Sequence, residues 1–281
     1  MRIFYLLFAG LFWCPNPTAA QELRVMSYNI RYDNPGDGAD RWDLRKEQLA
    51  AQVAHYAPDI MGTQEGLAHQ LDYLDSALTE YAFVGVGRDS GGREGEFSAL
   101  FYRTGKLELE DQGTFWLSET PGKPSKGWDA ALNRICTYGR FKARDSGIRF
   151  WVFNTHFDHV GARAREESVR LILREIAGRN SEGLPVILVG DLNLEPESAP
   201  IRLLSETLDD AYTRAGGKAY GPAGTFNGFD CATPADRRID YVFTGPGDFR
   251  ITGFTTLAEF TGTGFPSDHF PVMADLEFNP E

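Results

Sequence analysis

Strand-like segments follow one another without intervening helices in both halves of this 281-residue chain, and that order limits its fold more than any other feature. Between residues 81 and 155, apolar or alternating runs cover 81–86, 98–102, 106–116, 137–143 and 149–155. A parallel, doubly wound sheet would instead place a helix between successive strands. The order therefore favours two packed mixed sheets with helices on the outside.

Helical periodicity and further apolar runs assign the rest of the chain. Helices are predicted from Trp42 to a stop at Pro58, over residues 68–78, and over residues 162–177 with Gly178 as the cap beyond. The remaining predicted strands are 23–29, 59–64, 185–189, 238–244, 249–257 and 271–278.

The amino-terminal segment is typical of a cleaved export signal. Arg2 is its only charge, an apolar core covers residues 3–13, and small residues precede Gln21. The segment is too short to span a bilayer. We therefore expect an exported protein, periplasmic or secreted, with a signal over residues 1–20 and a single domain over residues 21–281.

The charge balance limits the partners that this chain can bind. The formal net charge is −12, which repels long polyanions unless a local basic groove compensates. Small or headgroup-type phosphoesters are therefore favoured over long nucleic acid, and no protein partner is inferred. The two cysteines beyond the signal, Cys136 and Cys231, would either pair in an oxidising compartment or remain buried thiols.

Short acid, amide and histidine segments stand where the strand-like runs end. Hard oxygen ligands suit a small divalent cation, and histidines move protons, so such a set is typical of magnesium-assisted phosphoester hydrolysis. The segments are residues 27–29, 64–65, 154–156, 190–193, 238–241 and 267–272.

Each segment also has an ordinary structural explanation. Asp191 and Asn193 follow a buried strand two residues apart and would face one point, although the same residue types are common in turns. Asn29 and Glu65 could supply oxygen ligands or cap a helix. His156 and His159 would point to opposite faces of a strand, which argues against a shared zinc site.

The ordered set resembles the endonuclease/exonuclease/phosphatase superfamily, which includes deoxyribonuclease I, abasic-site endonucleases, neutral sphingomyelinases, inositol polyphosphate 5-phosphatases and nocturnin-like deadenylases. The resemblance covers the whole chain after the signal. It implies an α/β (α+β) fold of the deoxyribonuclease I type: a four-layer sandwich of two packed mixed β-sheets flanked by helices. The resemblance also implies Mg²⁺, with Mn²⁺ as a substitute. The implied metal ligands are Asn29, Glu65 and Asp268, with Glu65 the principal one.

The resemblance implies in-line attack of water on phosphorus, helped by five further residues. Asp191 and Asn193 would contact the attacking water and the phosphate. His156 would stabilise phosphate charge or act as an acid. Asp240 would accept the imidazole proton of His269 and so orient it, and either His269 or Asp191 would remove the water proton.

Substrate identity stays open at this point. Arg31, Arg134 and Arg163 are candidate substrate contacts, and the aromatic segment 115–140 would either rim the pocket or form a loop pinned by buried tryptophans. Arg31 stands where abasic endonucleases usually carry an acid, which argues against abasic-site repair. Nuclease and small-molecule phosphatase activities both fit. The alternative is a catalytically silent carbohydrate- or lipid-binding module on the same fold.

Overall fold

Two mixed β-sheets pack face to face in the computed structural model, which describes residues 21–260 and 264–279. Within these ranges, one sheet has the strand order β10-β12-β13-β1-β2-β4-β3 and the other β5-β6-β7-β8-β11-β9. The strands are β1 (Glu22–Asn29), β2 (Ile60–Gly66), β3 (Tyr81–Val84), β4 (Phe97–Arg103), β5 (Leu107–Trp116), β6 (Ile135–Ala143), β7 (Arg149–His156), β8 (Val186–Asp191), β9 (Asp209–Asp210), β10 (Ala219–Tyr220), β11 (Asp240–Thr244), β12 (Phe249–Thr256) and β13 (Val272–Phe278).

Helices cover the outer face of each sheet and complete four layers. Apolar residues of α1 and α2 pack on the outer face of the first sheet, and those of α3 and α4 on the outer face of the second. A third apolar cluster fills the space between the sheets. The helices of the described residues are α1 (Trp42–Tyr56), α2 (Ala68–Ala77), α3 (Ala162–Arg179), α4 (Ala199–Ser205) and α5 (Ala211–Ala215).

Strand periodicity explains how polar side chains reach one edge of this sandwich. In β1, Leu23 and Val25 face the other sheet, whereas Met26 and Tyr28 face the helices. Because successive side chains alternate between faces, Asn29 at the end of β1 also points between the sheets. On the second sheet, the strand register places His156 of β7 and Asp240 of β11 on either side of Asp191 of β8.

The structure confirms the predicted four-layer sandwich of two mixed sheets. One detail of the sequence interpretation is wrong: Gly178 does not end α3, because the helix continues to Arg179 and Asn180 is its C-cap. Cys136 is buried and Cys231 is exposed, both as free thiols. The predicted export signal lies outside the described residues. No helix among those residues is both long and apolar enough to cross a bilayer.

A buried amide joins the two sheets directly below the polar edge. Asn154 of β7 donates from Nδ2 to the carbonyls of Thr63 (2.9 Å) and Ala99 (2.8 Å) on the opposite sheet. Its Oδ1 accepts from Gln64 Nε2 at 2.7 Å. Asn154 is fully buried, so removing it would take this donor away from two buried carbonyls, whereas Gln64 Nε2 would keep Ser27 Oγ and the Gly62 carbonyl as partners.

We expect Asn154→Leu to lower the free energy of unfolding by about 3 kcal/mol, since each unsatisfied buried group costs about 1–3 kcal/mol. Urea unfolding measures this loss. Gln112→Leu is the matched control, because this amide lies on an exposed position of β5 and should change stability by less than about 0.5 kcal/mol. Equal stability of the two variants would contradict the role assigned to Asn154.

Candidate active site

An open cleft of about 700 Å³ lies at the edge of the sandwich where β1, β2, β7 and β8 end. Two of the predicted residues, Asn29 and Asp240, do not line the cleft. They are fully buried behind its wall and bond to residues that line it. The structure therefore brings together every predicted metal-binding and catalytic residue. The predicted metal-binding and catalytic residues that line the cleft are Glu65, His156, Asp191, Asn193, Asp268 and His269, and the predicted substrate contacts that line it are Arg31 and Arg134.

Unusual backbone conformations aim several of these side chains. Glu65 has φ of 64° and Asn193 has φ of 50°, in the left-handed region that non-glycine residues adopt infrequently. The pairing of β2 with β4 also shifts register between Thr63 and Gly66, and such a bulge re-aims a side chain. Strain of this kind concentrates at functional sites.

Asn29 holds two carboxylates in place. Its Nδ2 donates to Glu65 Oε1 and to Asp191 Oδ2, both at 3.0 Å, while its Oδ1 accepts from the backbone N–H of Arg31. Because that N–H can only donate, the orientation of the amide is fixed. Asn29 therefore orients Glu65 and Asp191, and its Oδ1, the predicted ligand atom, faces the Arg31 N–H.

The chemistry of the donor set fits a divalent cation. Ligand atoms of Glu65, Asp191 and His156 lie within 4.8 Å of one another. Asp191 is 1% exposed, and among the described residues it contacts the imidazoles of His156 and His269 rather than a lysine or an arginine. Burial, and then the neighbouring Asp240, raises the pKa of Asp191 to about 7. A bound cation would stabilise this buried carboxylate in its charged form.

Asp268 and Glu65 both lie near the guanidinium of Arg31. Arg31 Nη1 is 3.7 Å from Asp268 Oδ2 and 4.0 Å from Glu65 Oε2. The Arg31 guanidinium is itself fixed by two bonds of 2.9 Å to Asp37. Burial, and then Glu65, raises the pKa of Asp268 despite the nearby His269 and Arg31.

His269 forms a buried pair with Asp240. His269 Nδ1 lies 2.9 Å from Asp240 Oδ2, and the same oxygen accepts from Thr225 Oγ1 at 2.5 Å. Although burial opposes it, the Asp240 and Asp191 carboxylates raise the pKa of His269 well above its ordinary value. The imidazole Nε2 then faces Asp191 Oδ2 at 3.8 Å.

The amide of Asn193 determines which nitrogen of His156 carries the proton. Asn193 Nδ2 lies 3.1 Å from both the Phe157 carbonyl and His156 Nε2. Since the carbonyl can only accept, this atom is the donor, and Nε2 accepts its second hydrogen. Burial, and then Arg134 and Arg88, lower the pKa of His156 well below its ordinary value. His156 is therefore neutral, with its proton on Nδ1.

Glu96 is a further acid in the cleft that sequence reasoning missed. Its Oε2 lies 3.9 Å from His156 Nδ1, and Arg88 binds both carboxylate oxygens at 2.6 and 2.8 Å. Burial raises the pKa of Glu96 to about 7. Glu96 precedes β4 in a glycine-rich turn without a recognisable motif, so no local signal marked it.

Arg134 and His159 form one wall of the cleft. Arg134 is 4% exposed; its Nη2 donates to His159 Nδ1 at 3.1 Å, and its Nη1 has no partner among the described residues. Asp158 lies 3.4 Å from Arg134 Nε. The expectation that His156 and His159 face opposite ways is wrong, because β7 ends at His156 and His159 follows in the next turn.

Other sequence candidates lie elsewhere. Arg163 is an exposed residue of α3 that does not line the cleft, which corrects its assignment as a substrate contact. Within segment 115–140, Trp116 is buried and donates to the Arg88 carbonyl, so the tryptophan pins the loop rather than rimming the pocket. The aromatic side chains at the rim are instead Tyr32, Phe226 and Phe229.

Arg45 of α1 is a second residue that sequence reasoning missed. It is 3% exposed, and its guanidinium donates to the carbonyls of Ile30 (2.6 Å), Arg31 (2.7 Å) and Pro266 (2.9 Å). These carbonyls belong to the segments that carry Asn29 and Asp268. Arg45 therefore joins the start and the end of the chain beneath the cleft.

Known proteins resemble this chain in sequence and in fold. The model of the family described as Endonuclease/Exonuclease/phosphatase family matches residues 26–269. An endonuclease/exonuclease/phosphatase family protein from Bacteroides thetaiotaomicron is 40% identical, covering 93% of this chain and 99% of that one, with a TM-score of 0.87. A mannosyl-6-phosphatase from Bacteroides thetaiotaomicron VPI-5482 is 41% identical, covering 91% and 100%, with a TM-score of 0.85.

A curated relative is more distant and longer. Nocturnin of Drosophila melanogaster is 24% identical over 95% of this chain, and the match covers 48% of Nocturnin. The chain thus spans about half the length of that relative.

Proposed function

The chain belongs to the endonuclease/exonuclease/phosphatase family of metal-dependent phosphoester hydrolases, and on that premise we propose that it is an exported, Mg²⁺-dependent phosphomonoesterase of small phosphorylated sugars. The observation that carries this proposal is the single cleft in which Glu65, Asp191 and His269 meet. Export rests on the signal-like residues 1–20.

Glu65 and Asp191 would hold the cation, with Asp268 beside them. Carboxylate oxygens are the ligands that Mg²⁺ prefers, and Asn29 keeps two of these carboxylates in position. When bound, the cation supplies neutralisation of the charge that grows on the phosphoryl oxygens. His156 lies in the same cluster, but its imidazole suits contact with the phosphate better than with so hard a cation.

Side chains of the cleft would accept the water proton and contact the phosphoryl oxygens. Water forms a new bond to phosphorus as the ester bond to the alcohol breaks, and its proton passes to Asp191 or to the neutral form of His269, which Asp240 orients. The alcohol leaves and takes its proton from water in the open cleft. His156 and Asn193 would contact the phosphoryl oxygens, and Glu96 would face the Nδ1 proton of His156.

Three observations favour a small monoester over nucleic acid. The net charge of −12 disfavours long polyanions. The cleft nevertheless presents three arginines, Arg31, Arg134 and Arg237, which suit the dianion of a monoester. Finally, the structure that is 41% identical over almost the whole chain is a mannosyl-6-phosphatase.

We expect purified protein to hydrolyse mannose 6-phosphate with Mg²⁺ and to lose that activity when EDTA is added. Phosphate release from this sugar, from a single-stranded oligonucleotide and from an inositol phosphate, each with Mg²⁺, Mn²⁺ or Ca²⁺, measures the preference. The expected kcat/KM for the sugar exceeds that for the others by at least about tenfold, or about 1.4 kcal/mol. Faster cleavage of the oligonucleotide would identify a nuclease and reject the proposal.

A further inference from the structure

We propose that Phe229, Phe226 and Arg237 form a leaving-group subsite that binds the pyranose ring of the substrate. This inference rests on the proposed function and adds to it the residues that bind the sugar ring. All three side chains line the cleft that also holds Asp191 and His269. Both phenylalanines are half-buried, so part of each ring stays accessible.

The subsite lies next to the reacting centre. The Phe226 ring packs edge-on against the His269 imidazole, with 5.2 Å between the ring centroids and 70° between the planes. The Arg237 guanidinium lies 5.6 Å from the centroid of Phe226 and ion-pairs with Glu195. Carbon atoms attached to a phosphate beside His269 would therefore lie within reach of these groups.

The loop that carries the two rings is fixed to the catalytic segment. The backbone N–H groups of Asn227 and Gly228 donate to the Asp268 carbonyl at 2.8 and 3.0 Å, and the N–H of Phe270 donates to the Thr225 carbonyl at 2.7 Å. The backbone that carries the two rings is therefore tied to the segment that carries His269. A rigid wall of this kind costs little entropy when it binds a ligand.

Phe229 is held in a conformation that a bulky residue rarely adopts. Its φ is 59°, and its N–H donates to Asn227 Oδ1 at 2.8 Å. Arg45 lies behind it, 5.7 Å from the ring centroid. Bulky side chains in the left-handed region are outliers, and here the outlier places an aromatic ring at the cleft rather than in the core.

A pyranose fits this combination of groups. One face of the ring consists of C–H bonds and packs on an aromatic surface, whereas its hydroxyl groups at the edge need polar partners. Phe226 and Phe229 supply the aromatic surface, and the guanidinium of Arg237 supplies hydrogen-bond donors for the hydroxyl groups. A nucleobase would also stack on the phenylalanines, so a nucleotide is the competing ligand to test.

The test compares two primary phosphomonoesters that differ only in the ring, mannose 6-phosphate and ethyl phosphate, in full-length wild type and in Phe229→Ala. Wild type should prefer the sugar, and Phe229→Ala should lower kcat/KM for the sugar about fivefold to tenfold more than it lowers kcat/KM for ethyl phosphate. Phe229→Leu keeps apolar bulk without the aromatic face and should show the same selective loss. Tyr220→Ala, which removes a ring that is 79% exposed and does not line the cleft, is the control.

Equal losses on both substrates would show that Phe229 only supports the fold, and would overturn the subsite. A wild-type enzyme that hydrolyses both esters equally well would also overturn it, yet leave the phosphomonoesterase function standing. A preference for a nucleoside 5′-monophosphate that Phe229→Ala removes would show that the phenylalanines bind a nucleobase, and would reject the sugar. Failure of wild type to hydrolyse either ester would overturn the function, and the subsite with it.

Discussion

Replacing Glu65 with glutamine is expected to weaken binding of Mn²⁺ or Mg²⁺ by at least about 100-fold and to lower kcat by about 10³-fold. The substitution keeps the shape of the side chain but removes one of the two carboxylates that Asn29 orients. Loss of an orienting residue alone costs about 10–100-fold in metal affinity, and a charged ligand contributes more. Metal-supported stabilisation of the transition state amounts to several kcal/mol.

Isothermal titration with Mn²⁺ measures the first effect, and initial rates at saturating Mg²⁺ measure the second. Glu108→Gln is the matched control, since this glutamate lies on β5 and is exposed. We expect the control to keep wild-type affinity and rate. Unchanged Mn²⁺ affinity in Glu65→Gln would remove Glu65 from the metal site.

The second large effect is expected at the buried pair of His269 and Asp240. His269→Gln removes the imidazole that faces Asp191 at 3.8 Å and should lower kcat about 10²–10⁴-fold, the range for groups that move protons. Asp240→Asn leaves the imidazole in place but removes the carboxylate at 2.9 Å. A similar loss is expected, because an amide does not hold the imidazole in the same tautomer.

The titration of His269 separates this orienting role from general damage to the fold. The Asp240 and Asp191 carboxylates raise the pKa of His269 in the metal-free protein, so Asp240→Asn should lower that pKa. NMR titration of the imidazole follows the change. His55→Gln, at an exposed histidine of α1, controls for the loss of an imidazole. A normal rate in both His269→Gln and Asp240→Asn would exclude the pair from catalysis.

Local sequence order was enough to predict much of the site. Asp191 and Asn193 lie at and just beyond the end of β8, and His269 lies three residues before β13, so strand prediction alone placed them at an edge of a sheet. The pairing of His269 with Asp240 followed from the chemical need of an imidazole for a carboxylate. Such pairs are predictable because few other residues can satisfy that need.

The rest of the site depends on long-range geometry that local patterns do not contain. The role of Asn29 depends on contacts with Glu65 and Asp191, and that of Arg45 on carbonyls from both ends of the domain. Glu96 comes from a turn without a motif. The sequence left segment 115–140 open between a pocket rim and a loop pinned by buried tryptophans, because tryptophan content does not distinguish the two.

The central claim is that side chains from distant parts of the chain hold one divalent cation next to a phosphate. A crystal of the protein grown with Mn²⁺ and inorganic phosphate, measured by anomalous diffraction, tests this directly. The account predicts an anomalous peak between the carboxylates of Glu65 and Asp191, with phosphate beside His156 and His269. A Mn²⁺ peak elsewhere on the protein, with none at these carboxylates, would contradict it.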